Sequence, residues 1–166
     1  KIFISTDSDI IKSKLTKYKK KISFLNRPKK FSGSKTKSET LIKYLILKNK
    51  LEKKYKTIFL LQATSPKRNY KHIKSMWNIY KKEKLKSFVS VSKKKNKKKI
   101  KMKKNNIIFY KKKKMSKNLI IYQNGAIYIF NIKSFLKIKK FITEETSYFK
   151  LEKKYSLDID NYLDLK

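Results

Sequence analysis

A chain of 166 residues with 39% hydrophobic content is long enough for one domain with a buried core. With no cysteine it forms no disulfide and no thiolate metal site, and its short apolar runs do not reach the length of a membrane span. The formal charge of +37, from 48 Lys and Arg against 11 Asp and Glu, opens a nucleic-acid reading. Only Arg27 and Arg68 are arginine, whereas recognition of phosphates and base edges favours the forked guanidinium. The abundance of Lys, Ile, Asn, Tyr and Phe matches AT-rich codons, so genomic bias is the preferred explanation. Nucleic acid is then expected only as a nonspecific charge effect.

The chain opens on KIFISTD, without an initiator Met or the apolar stretch of a signal peptide, and it reads as though its beginning were missing. Residues 2–5 predict a strand, and the TDSD that follows caps a helix from about Ile10 to Lys19. Ile10, Ile11, Leu15 and Tyr18 fall on one face of that helix. A loop, NRPKKFSGSKTKS, leads to a helix over about 39–54 striped with Leu41, Ile42, Leu45 and Ile46. TIFLLQ, residues 57–62, predicts a strand apolar on both faces, as a central parallel strand requires. Asn69 caps the next helix, running to about Lys84, with Ile73, Met76, Trp77 and Tyr80 inward. SFVSVS (87–92) is a buried strand, Lys93 to Lys104 a solvated lysine loop, NNIIFY a weaker strand, and NGAIYIF (124–130) a strong one. A short helix at about 134–139 precedes the final YSLDIDNYLDLK.

Strands separated by helices imply an α/β domain with a mostly parallel sheet. Ligands of such sheets bind beyond the carboxyl ends of the strands. Ser5, Thr6 and Asp7, then Gln62, Thr64 and Ser65, are therefore expected on one rim.

Rare residue types mark the chemistry. Both arginines, both prolines and both glycines sit in RPKKFSG, TSPKR and NGAIY. Turn chemistry accounts for the prolines and glycines but not for Arg27 and Arg68. Asp158 and Asp160 form a D-x-D pair, which in extended backbone puts both carboxylates on one face, in reach of one hard cation. An ordinary acidic terminus has the same composition. His72 has no partner histidine or cysteine and reads as a surface or helix-face residue. The aromatic residues follow core spacing rather than that of a base-stacking platform. No phosphate-binding glycine loop and no Ser-His-Asp set is present.

In order and spacing, FISTDSDII, RPKKFSGSKTKSE, IFLLQATSPKR, FVSVS, NGAIYIF and SLDIDNYLDL resemble the acylneuraminate cytidylyltransferases, the CMP-sialic acid synthetases, over nearly the whole chain. The resemblance implies a Rossmann-like, three-layer nucleotide-diphospho-sugar transferase fold whose first strand and phosphate loop are missing here. It implies a single domain over 1–166, a lysine-rich dimerisation-type insertion at 93–123, and a cytoplasmic homodimer. The implied reaction transfers CMP from CTP to a nonulosonic acid, a nine-carbon 2-keto sugar acid of sialic or legionaminic type, and releases pyrophosphate. By position, Asp158 and Asp160 would hold Mg2+ as catalytic metal ligands. Gln62 and Asn124 would contact the sugar, and Arg27 and Ser38 would lie by the nucleotide. Weak or no turnover is expected without the phosphate loop.

The chain departs from the family's strings at Ala63 and Lys67 (usually Pro and Leu) and at Ser34 (usually acidic). Tyr122 and Lys114 stand where many members carry arginine. Two rival readings are a basic, non-enzymatic nucleic-acid-binding protein and an inactive remnant of the enzyme.

Overall fold

The computed structural model describes residues 1–33, 35–93, 107–108, 121–159 and 161–165. The expectations placed on Ser34, Lys114, Asp160 and residues 94–104 lie outside them. The described chain forms two compact units, Lys1–Tyr55 and Lys56–Lys166.

In the first unit, β1 (Ile2–Thr6) and β2 (Ile22–Asn26) pair in parallel, with Ile2 opposite Ile22 and Thr6 opposite Asn26. Between them, α1 (Asp9–Leu15) starts at Ser8, whose hydroxyl accepts from the Ile11 N–H at 3.3 Å, as the TDSD reading expects. It ends earlier than expected, passing into a 3-10 turn at 16–18. Thr16 Oγ1 donates back to the Lys12 carbonyl there, a bond that competes with the helical ladder. The stripe assigned to its inner face is not buried in this unit: Ile10 is 70% exposed, and Ile11 and Tyr18 are also exposed. β2 was not anticipated, although ISFL carries a strand signal. After the loop come α2 (Ser38–Lys48) and α3 (Leu51–Lys54), two helices where one was expected. Asn49 Nδ2 donates to the Leu45 carbonyl at 2.8 Å and Lys50 takes φ 49°, so the chain turns out of the helix there.

The second unit holds β3 (Thr57–Leu60), α4 (Tyr70–Lys82), β4 (Ser87–Lys93), β5 (Ile107–Ile108), β6 (Ile121–Asn131), α5 (Ile132–Ile138) and β7 (Ser147–Lys150). Its strand order is β3-β6-β4-β7-β5. The β4–β7 and β5–β7 ladders are parallel, while β6 runs antiparallel to both β3 and β4. Counting β1–β2, three of the five ladders described are parallel, so the sheet reading holds with one reversed strand inside it. The middle strand of this order is β4 rather than β3, with β6 an interior strand between β3 and β4. Every residue from Ala126 to Phe130 is buried, whereas among the described residues β3 ends this sheet and its four residues are half-buried.

Two apolar layers hold β6. On one face Ile127 and Ile129 join Phe88, Phe149, Met76 and Tyr80, with Ile73 and Trp77 of α4 packed at the margin. On the other, the rings of Phe130, Phe135 and Phe141 lie 4.9–5.3 Å apart, and Tyr128 meets Phe141 at 5.2 Å. Each such side chain contributes about 1.5–3 kcal/mol on burial, which makes β6 a firm platform for the residues at its start. Among the described residues, no helix is long and apolar enough to cross a membrane.

Of the two readings of His72, surface or helix-face, the structure bears out the helix-face one. The residue is buried at the start of α4, and its Nδ1 accepts from the Asn69 N–H while Asn69 Oδ1 accepts from the His72 N–H at 3.2 Å. Its ring meets Tyr155 at 4.5 Å. Burial lowers its pKa from the ordinary 6.5, against an opposing pull from Glu152. A lowered folded pKa means that the neutral ring's contribution is complete above about pH 6.5 and is lost as pH falls through the folded value. Thermal unfolding between pH 7 and 5 is expected to show a declining Tm, and His72→Gln, which keeps an acceptor that does not titrate, is expected to flatten that slope.

Candidate functional site

The site forms where the β4–β6 ladder breaks. Val89 pairs with Tyr128 and Val91 with Gln123, so one residue of β4, Ser90, faces four of β6, Asn124 to Ile127. Extra residues in one strand leave backbone groups without ladder partners, a device common beside active sites. Here side chains take over. Ser90 Oγ donates to Asn124 Oδ1 at 2.7 Å and accepts from the Ile127 N–H at 2.8 Å, and Asn124 Oδ1 also accepts from the Ala126 N–H at 3.2 Å. Asn-Gly suits this bend, because Asn turns its carbonyl back on the chain two residues on and Gly125 takes φ 71°.

The Asn124 carbonyl oxygen is thus used twice while its amide is not. Asn124 is buried, and its Nδ2 has no hydrogen-bond partner among the described residues. An orphaned buried donor costs about 1–3 kcal/mol. The apolar anchoring of β6 covers that cost, and an incoming acceptor would remove it.

Two further segments converge on Gly125. The turn after β3 delivers Gln62, whose Oε1 occupies the space that a Cβ at position 125 would need. That turn is compact: the Ser65 N–H donates to the Gln62 carbonyl at 3.3 Å, and Ser65 Oγ, fully buried, donates to the Asn124 carbonyl at 3.5 Å. The C-terminal segment is pinned to the same turn by the Ile159 N–H, which donates to the Thr64 carbonyl at 2.9 Å. This sets Asp158 Oδ2 3.7 Å from the Gly125 Cβ position and leaves the buried Oδ1 with no hydrogen-bond partner among the described residues. Gln62, Asn124 and Asp158, three residues singled out in the sequence, are therefore brought together. Ser65, expected on the rim with Gln62, is indeed beside it, whereas Ser90 and Gly125 were not assigned to the site; for Ser90 the available signal was a serine at alternate positions inside an otherwise apolar strand, SFVSVS.

Ser90→Ala removes two hydrogen bonds and strands the Ile127 N–H. It is expected to cost about 2 kcal/mol of stability, read as a lower midpoint in urea unfolding.

Arg27 and Ser38 belong to the first unit. Arg27 Nε and Nη2 both donate to the Phe31 carbonyl, at 3.1 and 2.8 Å, closing the RPKKF loop. The Asp7 carboxyl is held below its ordinary value by the nearby Ser32 side chain and its own backbone, with the charges of Arg27 and Lys12 adding to the effect. Ser38 is the first residue of α2 and is half-buried. Asp160, the second carboxylate of the D-x-D pair, lies outside the described residues. Among those described, no three histidine or carboxylate groups converge, so the fit to a cation rests on Asp158, a buried carboxylate oxygen lacking a partner of its own.

No family model matches the chain. Curated proteins named N-acylneuraminate cytidylyltransferase do match it: one from Escherichia coli O18:K1:H7 is 29% identical over 174 residues, covering all of this chain and 40% of that protein. The chain is similar to these cytidylyltransferases. One from Streptococcus agalactiae serotype III is 28% identical, over 96% of this chain and 39% of its own length. The chain thus spans about two fifths of the length of these relatives, and the resemblance read from QATSPKR, NGAIY and SLDID extends over the whole of it. Among solved structures, the crystal structure of 4-diphosphocytidyl-2C-methyl-D-erythritol synthase from Anaerococcus prevotii matches with a TM-score of 0.64. It is 15% identical and covers 99% of this chain and 75% of that one. The expected α/β, Rossmann-like fold is therefore found.

Proposed function

We propose that the chain is part of a cytidylyltransferase that transfers CMP from CTP to a nonulosonic acid of sialic or legionaminic type, releasing pyrophosphate. One observation carries the reading. In the segments where it matches the curated relatives, the chain gathers Gln62, an orphaned Asn124 amide and an orphaned Asp158 carboxylate oxygen around one glycine. Neutral amides suit the hydroxyls and carboxylate of a sugar acid, because they bind without the desolvation cost of a full charge.

In this reading Gln62 and Asn124 Nδ2 hold the acid so that its anomeric hydroxyl meets the α-phosphorus of CTP. The anomeric oxygen bonds to that phosphorus, its proton passing to solvent, as the bond to the bridging oxygen of the leaving pyrophosphate breaks. Asp158, with Asp160 beside it in the sequence, would hold Mg2+, which when bound neutralises charge on the phosphates. Phosphoryl transfer of this kind depends on positioning and charge compensation more than on a nucleophilic side chain, consistent with the lack of a Ser-His-Asp set in the sequence.

Pyrophosphate release from CTP tests the proposal. Measured on this chain joined to the first strand and phosphate loop of a curated relative, release that requires both Mg2+ and a sialic or legionaminic acid supports it; a well-folded protein of that kind that releases none with any such acid overturns it.

A further inference from the structure

The chain carries 48 lysines and arginines, of which only Arg27 and Arg68 are arginine. In the structure neither arginine pairs with a carboxylate among the described residues. Arg68 Nη1 donates to two main-chain carbonyls from separate segments: Gln62 at the end of β3, 2.9 Å away, and Ala126 of β6, 2.7 Å away. These two residues bracket the contact on which the site is built, since the Gln62 side chain lies against Gly125 and Ala126 follows it. The neighbouring Lys67 is exposed, whereas Arg68 is partly buried, and burial lowers its pKa from the ordinary value.

We propose that Arg68 is a positioning residue: it ties the turn carrying Gln62 to the bulge carrying Asn124 and Gly125, and so sets the Gln62 amide for the sugar acid. The proposal rests on the sugar-binding reading above. A flat guanidinium with preset N–H directions holds two carbonyls with little loss of freedom. A lysine ammonium is more strongly hydrated and must order a flexible stem to do the same. That difference gives a reason for an arginine to persist at this position in a chain otherwise written in lysine, and it accounts for the residue that turn chemistry left unexplained.

The test compares Arg68→Met and Arg68→Lys, each alone and combined with Gln62→Ala. Without any ligand, the Gln62 side-chain amide and Gly125 backbone amide signals in 1H–15N spectra are expected to shift or broaden in Arg68→Met and to return most of the way in Arg68→Lys. In turnover, Arg68→Met is expected to raise KM for a sialic acid about tenfold while KM for CTP stays within about twofold. In the Gln62→Ala background it should add less than about twofold. Unmoved Gln62 and Gly125 signals in folded Arg68→Met, or a full additional effect on top of Gln62→Ala, would overturn the proposal. The spectra decide the positioning role even if this chain by itself releases no pyrophosphate, so its failure and that of the enzymatic reading are told apart. If Arg68→Met does not fold, Arg68→Gln, too short to reach both carbonyls, carries the same comparison: Gln62 and Gly125 signals identical to wild type at lower stability reduce Arg68 to a purely structural clamp.

Discussion

Asp158→Asn is expected to lower CMP transfer at least about 100-fold while leaving the protein as stable as before, or slightly more so. The expectation follows from one atom. Asp158 Oδ1 is buried with no hydrogen-bond partner among the described residues, so the fold bears the cost of desolvating part of a carboxylate without compensation. An amide of the same shape carries no charge and removes most of that cost. Among the described residues its segment is held from the backbone, by the Ile159 N–H on the Thr64 carbonyl. The reaction, in contrast, loses a hard anionic ligand at the point where phosphate charge must be neutralised, a loss worth several kcal/mol in transition-state terms. Pyrophosphate release and thermal unfolding measured on the same sample check both halves. A large fall in Tm with transfer retained would make Asp158 a structural residue.

Gly125→Ala is expected to damage both the fold and the site. An L-residue at φ 71° costs about 1–2 kcal/mol, and the new methyl would collide with Gln62 Oε1, so Gln62 must leave its place. Stability should fall by about 2 kcal/mol, and KM for the sugar acid should rise about as much as it does in Gln62→Ala, on the order of tenfold. Gly33 supplies the control. Nothing lies within 4 Å of a Cβ built there, and its φ is outside the positive region, so Gly33→Ala should be neutral or stabilise by up to about 1 kcal/mol through the unfolded chain. Urea midpoints for the two variants, with sugar-acid kinetics for Gly125→Ala, measure the contrast. Equal effects at both glycines would contradict it.

What was legible in the sequence follows from how local each signal is. The α4 stripe of Ile73, Met76, Trp77 and Tyr80 repeats at helical spacing, and the helix packs by that stripe. NGAIYIF pairs a turn signal with an unbroken apolar run, and it is a buried interior strand of its sheet. TIFLLQ carries the same kind of run yet ends that sheet, because an apolar sequence does not say which of its edges has a neighbour. The face of α1 failed for a related reason: spacing aligned Ile10, Ile11 and Tyr18, but nothing in spacing states what they meet. His72 was placed on a helix face, but its burial was not read, because a lone histidine does not show that its ring nitrogen caps a helix three residues from Asn69. In the site, motif order singled out Gln62, Asn124 and Asp158. The Ser90 bridge and the Arg68 clamp depend on contacts across more than 30 residues of sequence, beyond the reach of any local pattern.

The most direct test follows the side-chain amides of Gln62 and Asn124 by 1H–15N spectroscopy as a sialic or legionaminic acid is added with CTP and Mg2+. Both signals are expected to move along one saturable curve, with the concentration dependence of pyrophosphate release, and Gly125→Ala is expected to weaken both together. Pyrophosphate release that saturates while both amides stay still would contradict the assignment of this cluster as the sugar site.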